Sequence, residues 1–124
     1  MIFSTLGAIG LALAVMLGAF GAHALKDRLD AYSIGIYERA VFYHFVHALG
    51  LLIVGVLVKS GALGEPIAKW VGILLCAGIV LFCGSLYVLA VTGVRTWGAV
   101  TPFGGLAFIA AWVLLASGLM RKRS

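Results

Sequence analysis

Few side chains in this sequence can do acid–base or ligand chemistry. They are His23, His44 and His47, Cys76 and Cys83, and the carboxylates Asp27, Asp30, Glu38 and Glu65, set against nine Lys and Arg. Tyr37, Ala40, His44, His47 and Leu51 follow the three- and four-residue steps of one helix face. Two imidazoles three residues apart can share a metal, with His23 as a third ligand. They can also relay protons, because imidazole titrates near neutrality. The plainer reading, adopted here, is that they donate to backbone, Tyr or Ser groups across a helical bundle. No His-Glu-x-x-His pattern accompanies them. Glu38 stands six residues before His44 and directly precedes Arg39, where it is expected to pair with a base near a surface. Gly-x-Ser-x-Gly, Ser-x-x-Lys and phosphate-loop patterns are absent as well. Nothing calls for a catalytic residue, a resident metal or a cofactor, and the chain reads as a non-enzyme.

The elements that carry these residues follow from composition. Of 124 residues, 64% are hydrophobic and 10% are charged, against roughly a quarter charged in an average soluble domain. The mean hydropathy is +1.18. Nine basic and four acidic residues are too few to cover the surface that a water-soluble domain of this size exposes. Soluble enzymes, disordered chains and nucleic-acid modules are thereby excluded. The net charge of +5 reads as topology signal and attraction to anionic lipid heads, above all at Arg121-Lys122-Arg123, with no nucleic-acid partner.

Four apolar blocks stand out, at about 2–25, 34–58, 67–91 and 102–120. Each is close to the ~20 residues that a helix needs to cross ~30 Å of hydrocarbon, and lone strands in lipid leave backbone groups unpaired. The expected fold is therefore all-α and integral to the membrane: one domain over 1–124, with four transmembrane helices in an antiparallel up-down bundle. Tyr32 to Arg39 is expected as a short surface segment before the second crossing. Pro66 is suited to open the third helix, and Thr101 to cap the fourth with Pro102 in its first turn. The first block carries Ala22-His23-Ala24, which mimics a cleavage site, but no Lys or Arg precedes its long apolar run, so retention is expected.

Four crossings place both termini and the second loop on one side, with Lys59, Lys69, Arg121, Lys122 and Arg123; the other side has Lys26, Arg28, Arg39 and Arg95. The small excess points to cytoplasmic termini. The same topology gathers His23, Glu38, Arg39, His44, His47 and Tyr87 into one half of the membrane, with Cys83 and Ser85, while the opposite half has little beyond Ser4, Thr5 and Ser117. Those first six residues form the candidate functional polar cluster. Cys76 and Cys83, seven apart, read as unreactive thiols two turns distant on one face.

Burial does not drive helix association in lipid, whereas close packing of small residues does. Gly10, Ala14, Gly18 and Ala22 form such a ladder in the first block, and Gly104, Ala107 and Ala111 in the fourth. Bundle packing is the expected use, with a homo-oligomer seam or a ligand path as alternatives. Gly18→Leu is expected to disrupt folding or assembly.

Four stretches, in order, carry a family resemblance: Gly18-Ala19-Phe20-Gly21-Ala22-His23-Ala24-Leu25; Tyr43-His44-Phe45-Val46-His47-Ala48-Leu49; Gly84-Ser85-Leu86-Tyr87 with Thr92-Gly93; and Thr101-Pro102-Phe103-Gly104-Gly105-Leu106. Together they resemble the YgdD-like family of small membrane proteins, catalogued as a domain of unknown function. The resemblance implies a four-helix inner-membrane protein and brings no catalytic residues with it; His23, His44, His47, Tyr87 and Pro102 stand in its motifs. The leading expectation is a structural or accessory membrane protein. A small transporter or ion-handling protein using the His/Glu cluster is the second reading, and a metal or haem carrier the third.

Overall fold

The structure, a computed structural model, describes residues 2–123 and side chains as far as Arg121. Four helices, each long and apolar enough to cross a membrane, make an up-down bundle, and no strand occurs among the described residues. They are α1 (Ile2–Leu25), α2 (Ala31–Lys59), α3 (Glu65–Thr92) and α4 (Thr101–Arg123), the last preceded by a single 3₁₀ turn at Arg95–Ala99. Along its length α1 packs on α2, α3 packs on α4, and α2 lies against α3 to join the two pairs.

The helix ends follow local chemistry. Asp30 caps α2 by accepting a hydrogen bond from Ser33 N at 2.7 Å, the usual service of an N-cap carboxylate. That cap starts α2 at Ala31, so Tyr32 to Arg39, expected as a short surface segment before the crossing, are the first turns of the same continuous helix. Pro66 stands in the first turn of α3, where its missing N–H costs nothing. Gly93 ends α3 in the left-handed region (φ 72°), its N–H donating to the Leu89 carbonyl at 2.8 Å.

Two turns depart from the α-helix. Gly21–Leu25 in α1 and Ile79–Cys83 in α3 are π turns, which hold one residue more than a regular turn. The second lies between Cys76 and Cys83, so their seven-residue spacing no longer keeps them on one face. Cys83 is buried at 1% exposure, whereas Cys76 is only half-buried.

Small residues bring the backbones together. A Cβ on Gly7 would strike the Leu52 nitrogen and the Ala48 carbonyl, and one on Gly104 would strike the Phe82 backbone. The α1 ladder is spent against α2: Ala14 is fully buried, and a Cβ on Gly10 would lie 3.1 Å from Ala48 Cβ. The contact loosens toward Gly18, where a Cβ would meet Val41 Cγ1 at an ordinary 3.4 Å, and Ala22 is exposed. The steric demand expected at Gly18 thus falls on Gly7, because α1 and α2 draw apart toward their connecting loop.

Large apolar residues cover the outside as well as the core. Met16, Phe42, Val80, Phe103 and Val113 are all exposed, a surface suited to hydrocarbon and unsuited to water. A larger core of Phe3, Leu51, Val54, Val71, Leu75 and Phe108 with their neighbours occupies the middle and the end near the termini. A smaller one of Leu25, Ile36, Tyr37, Leu86 and Leu89 lies under the loop that joins α1 and α2.

Candidate functional site

All five residues of the α2 face, Tyr37, Ala40, His44, His47 and Leu51, are buried. In lipid, a buried polar group has no water to fall back on, so each needs a partner within the protein. Among the described residues no buried side-chain nitrogen or oxygen lacks one.

Tyr37 reaches from α2 to α1, donating its hydroxyl proton to the Leu17 carbonyl just before the π turn. Its ring meets the edge of Tyr87 on α3, with centroids 5.3 Å apart and planes at 63°. The Tyr87 hydroxyl lies 2.9 Å from His44 Nδ1, and His44 also engages the Gly10 backbone on α1. The path from Leu17 through Tyr37, Tyr87 and His44 to Gly10 therefore ties α1, α2 and α3 together.

His47 is fixed differently. Its Nδ1–H donates to the Tyr43 carbonyl one turn earlier, at 2.7 Å. Its ring stacks on Phe108 of α4, with centroids 3.5 Å apart and planes within 14°, and runs parallel to Tyr43 at 5.9 Å. Trp112 of α4 approaches the same imidazole at 5.8 Å. Ser85 completes the belt, donating to the Phe82 carbonyl at 3.0 Å within the second π turn and meeting the Thr101 hydroxyl at 2.6 Å. Thr101, expected as a cap, is the first residue of α4 and uses its hydroxyl to bind that helix to α3.

The six residues of the proposed cluster separate into two groups. His44 and Tyr87 are in direct contact, with His47 one turn deeper on the same face of α2. His23, Glu38 and Arg39 are exposed and do not join them. His23 lies on the exposed side of the first π turn, whose buried residues are Gly21 and Leu25. Six residues along a helix carry Glu38 to a different face from His44. No three His, Cys, Asp or Glu side chains converge as a metal site among the described residues. Leu17, Gly10, Tyr43 and Phe108 were not singled out for the belt by sequence reasoning. The first three contribute backbone atoms, which residue type does not mark, and Phe108 reads as one more core aromatic.

Outside the membrane-spanning segments, the bond from the Ser33 N–H holds the Asp30 carboxyl below its ordinary value of 3.8. At the same end of the bundle the Arg95 guanidinium lies 5.8 Å from the centre of the Tyr32 ring, which fastens the third loop to the start of α2.

A family profile described as "Protein of unknown function (DUF423)" matches residues 17–105, a span that contains Leu17, Tyr37, Glu38, His44, His47, Tyr87 and Thr101. The chain is 47% identical over 116 residues to the UPF0382 membrane protein YwdK of Bacillus subtilis, with 92% of each chain covered. A UPF0382 membrane protein of Staphylococcus saprophyticus is 43% identical over 120 residues, covering 97% of this chain and 98% of the relative. Another, from Staphylococcus epidermidis, is 43% identical over 120 residues, covering 97% and 96%. No solved structure matches. Together with the four apolar helices, these relatives identify a multi-pass membrane protein.

Proposed function

Starting from the fact that this chain belongs to the DUF423 family, we propose that it is a non-enzymatic structural or accessory protein of the inner membrane. In this reading its intramembrane histidines serve as helix ties. Both termini face the cytoplasm, and the basic end of α4 rests on anionic lipid heads, a reading supported by five Lys and Arg on that side against four on the other. The carrying observation is the hydrogen bond at 2.9 Å between buried His44 of α2 and Tyr87 of α3. An ionisable group inside a membrane is ordinarily a functional suspect. Here the imidazole sits between partners on two other helices, and Glu38, the acid that a proton relay would recruit, is exposed on another face.

Proteoliposomes under an imposed pH gradient test the reading. The expected result is that the wild type and His44→Ala pass protons at the same background rate, while His44→Ala melts at a lower temperature in detergent. A gradient-driven flux that disappears in His44→Ala overturns the structural reading in favour of ion handling. Stoichiometric metal or haem in gently purified protein overturns it in favour of a carrier.

A further inference from the structure

The divergence of α1 and α2 opens a cavity of about 320 Å³ beside the first π turn, at the lower end of the roughly 300–1,000 Å³ usual for small-molecule sites. Gly18, Ala22, Ile34 and Val41 supply its apolar wall, and Lys26 and Glu38 line it as well. Among the described residues Lys26 and Glu38 form no ion pair, although they share this cleft. A cation and an anion lining one cleft beside an apolar wall match a ligand that carries both charges and an apolar body.

Depth in the membrane narrows the choice. The helix α2 has 29 residues, more than the ~20 that cross the hydrocarbon. A crossing that ends at Lys59 begins near Ala40, which leaves Glu38 at headgroup level. Lys26 follows the last residue of α1 and lies at the same level. Gly18 and Val41 lie one to two turns deeper, where acyl chains begin.

We propose that this cleft binds a phospholipid with a primary-amine head, the phosphate ester on Lys26, the ammonium on Glu38, and the glycerol and upper chain along Gly18, Ala22 and Val41. A head with net negative charge and no amine leaves Glu38 facing an anion. A quaternary ammonium has no N–H to offer the carboxylate. The amine head satisfies both side chains.

The test uses delipidated full-length protein in detergent and native mass spectrometry. Phosphatidylethanolamine, phosphatidylglycerol and phosphatidylcholine with identical chains are added at equal concentration. Phosphatidylethanolamine is expected to be retained about fivefold over the other two, the scale of one partly exposed charge pair. Glu38→Gln abolishes that preference, and Lys26→Gln lowers retention of all three. Both side chains are exposed, so the variants fold, and unchanged melting temperatures verify it. O-phosphoethanolamine, the head without its tails, is expected to stay unbound at the same concentration. Equal retention of the three lipids, a preference that survives Glu38→Gln, or binding of O-phosphoethanolamine as tight as that of the lipid overturns the proposal.

Discussion

The two halves of this bundle hold themselves together by different means. The half under the α1–α2 and α3–α4 loops has both π turns and the hydrogen bonds of Tyr37, His44, Tyr87, Ser85 and Thr101. The half that carries the termini and the α2–α3 loop is regular helix. There the Ser4 hydroxyl donates across helices to the Leu52 carbonyl at 3.1 Å, and apolar packing gathers around Phe3, Val54, Leu63 and Val71. The contrast teaches that a small membrane bundle has two independent ways to fix helix positions. Small residues admit close backbones, and polar side chains specify which backbone group meets which. The matched family region, 17–105, takes in both π turns and Tyr37, His44, His47, Ser85, Tyr87 and Thr101, and leaves out Gly10, Phe108, Trp112 and the outer ends of α1 and α4.

The largest expected effect separates rigid from yielding packing. A Cβ on Gly104 meets the backbone of Phe82, which can move only if α3 and α4 separate, whereas a Cβ on Gly72 meets the Phe3 ring, which can swing. Gly104→Ala is expected to cost about 3 kcal/mol and Gly72→Ala about 1 kcal/mol, the upper and lower ends of ordinary overpacking. Reversible denaturation in mixed micelles measures both. A larger loss at Gly72 would mean that the Phe3 ring is held more firmly than the Phe82 backbone.

Next in size is the imidazole tie. Hydrogen bonds between membrane helices average about 0.6 kcal/mol and reach about 1.7 kcal/mol. A double-mutant cycle with His44→Ala and Tyr87→Phe is expected near the upper figure, because His44 is buried and reaches two other helices. Ser4→Ala, which removes one bond on a half-buried residue, is expected near the lower figure or below it. Coupling of zero between His44 and Tyr87 would leave the two halves alike in how they are fixed.

Much of this was legible in the sequence, for identifiable reasons. Four long apolar runs in a chain with so few charges leave helices as the economical way across a bilayer, and the three- and four-residue steps from Tyr37 to Leu51 mark the face of α2 that is buried. The gathering of His44 and Tyr87 followed from topology alone. The π turns were not legible, because one extra residue in a turn leaves no mark in composition or hydropathy. With them went the relation between Cys76 and Cys83 and the surroundings of His23. The Gly10 and Leu17 contacts were hidden for another reason: the partner in each is backbone, which every residue carries. The loosening of the α1 ladder at Gly18 depends on where Tyr37 and the first π turn push α1, a tertiary fact that spacing does not contain.

The smallest effect lies at the edge of the polar half. Asp30 holds the first turn of α2 through its bond from Ser33 N, and that bond depresses the carboxyl below 3.8. A carboxyl depressed in the folded state contributes fully above its unfolded value and loses the contribution as pH falls through the folded value. The cap is therefore complete at pH 5 and fades below the ordinary carboxylate range. Asn caps helices as well as Asp but carries no proton to gain there. Amide exchange at Ser33, compared between wild type and Asp30→Asn at each pH, removes the intrinsic pH dependence of exchange. The ratio of rates is expected near one at pH 5 and to rise severalfold in the wild type's disfavour by pH 2. The start of α3 at Glu65 has no side-chain cap bond, so its first-turn amides should show no such change in either protein. A flat ratio at Ser33, or an equal acid response at the start of α3, would mean that the carboxylate of Asp30 is not what secures this end of α2.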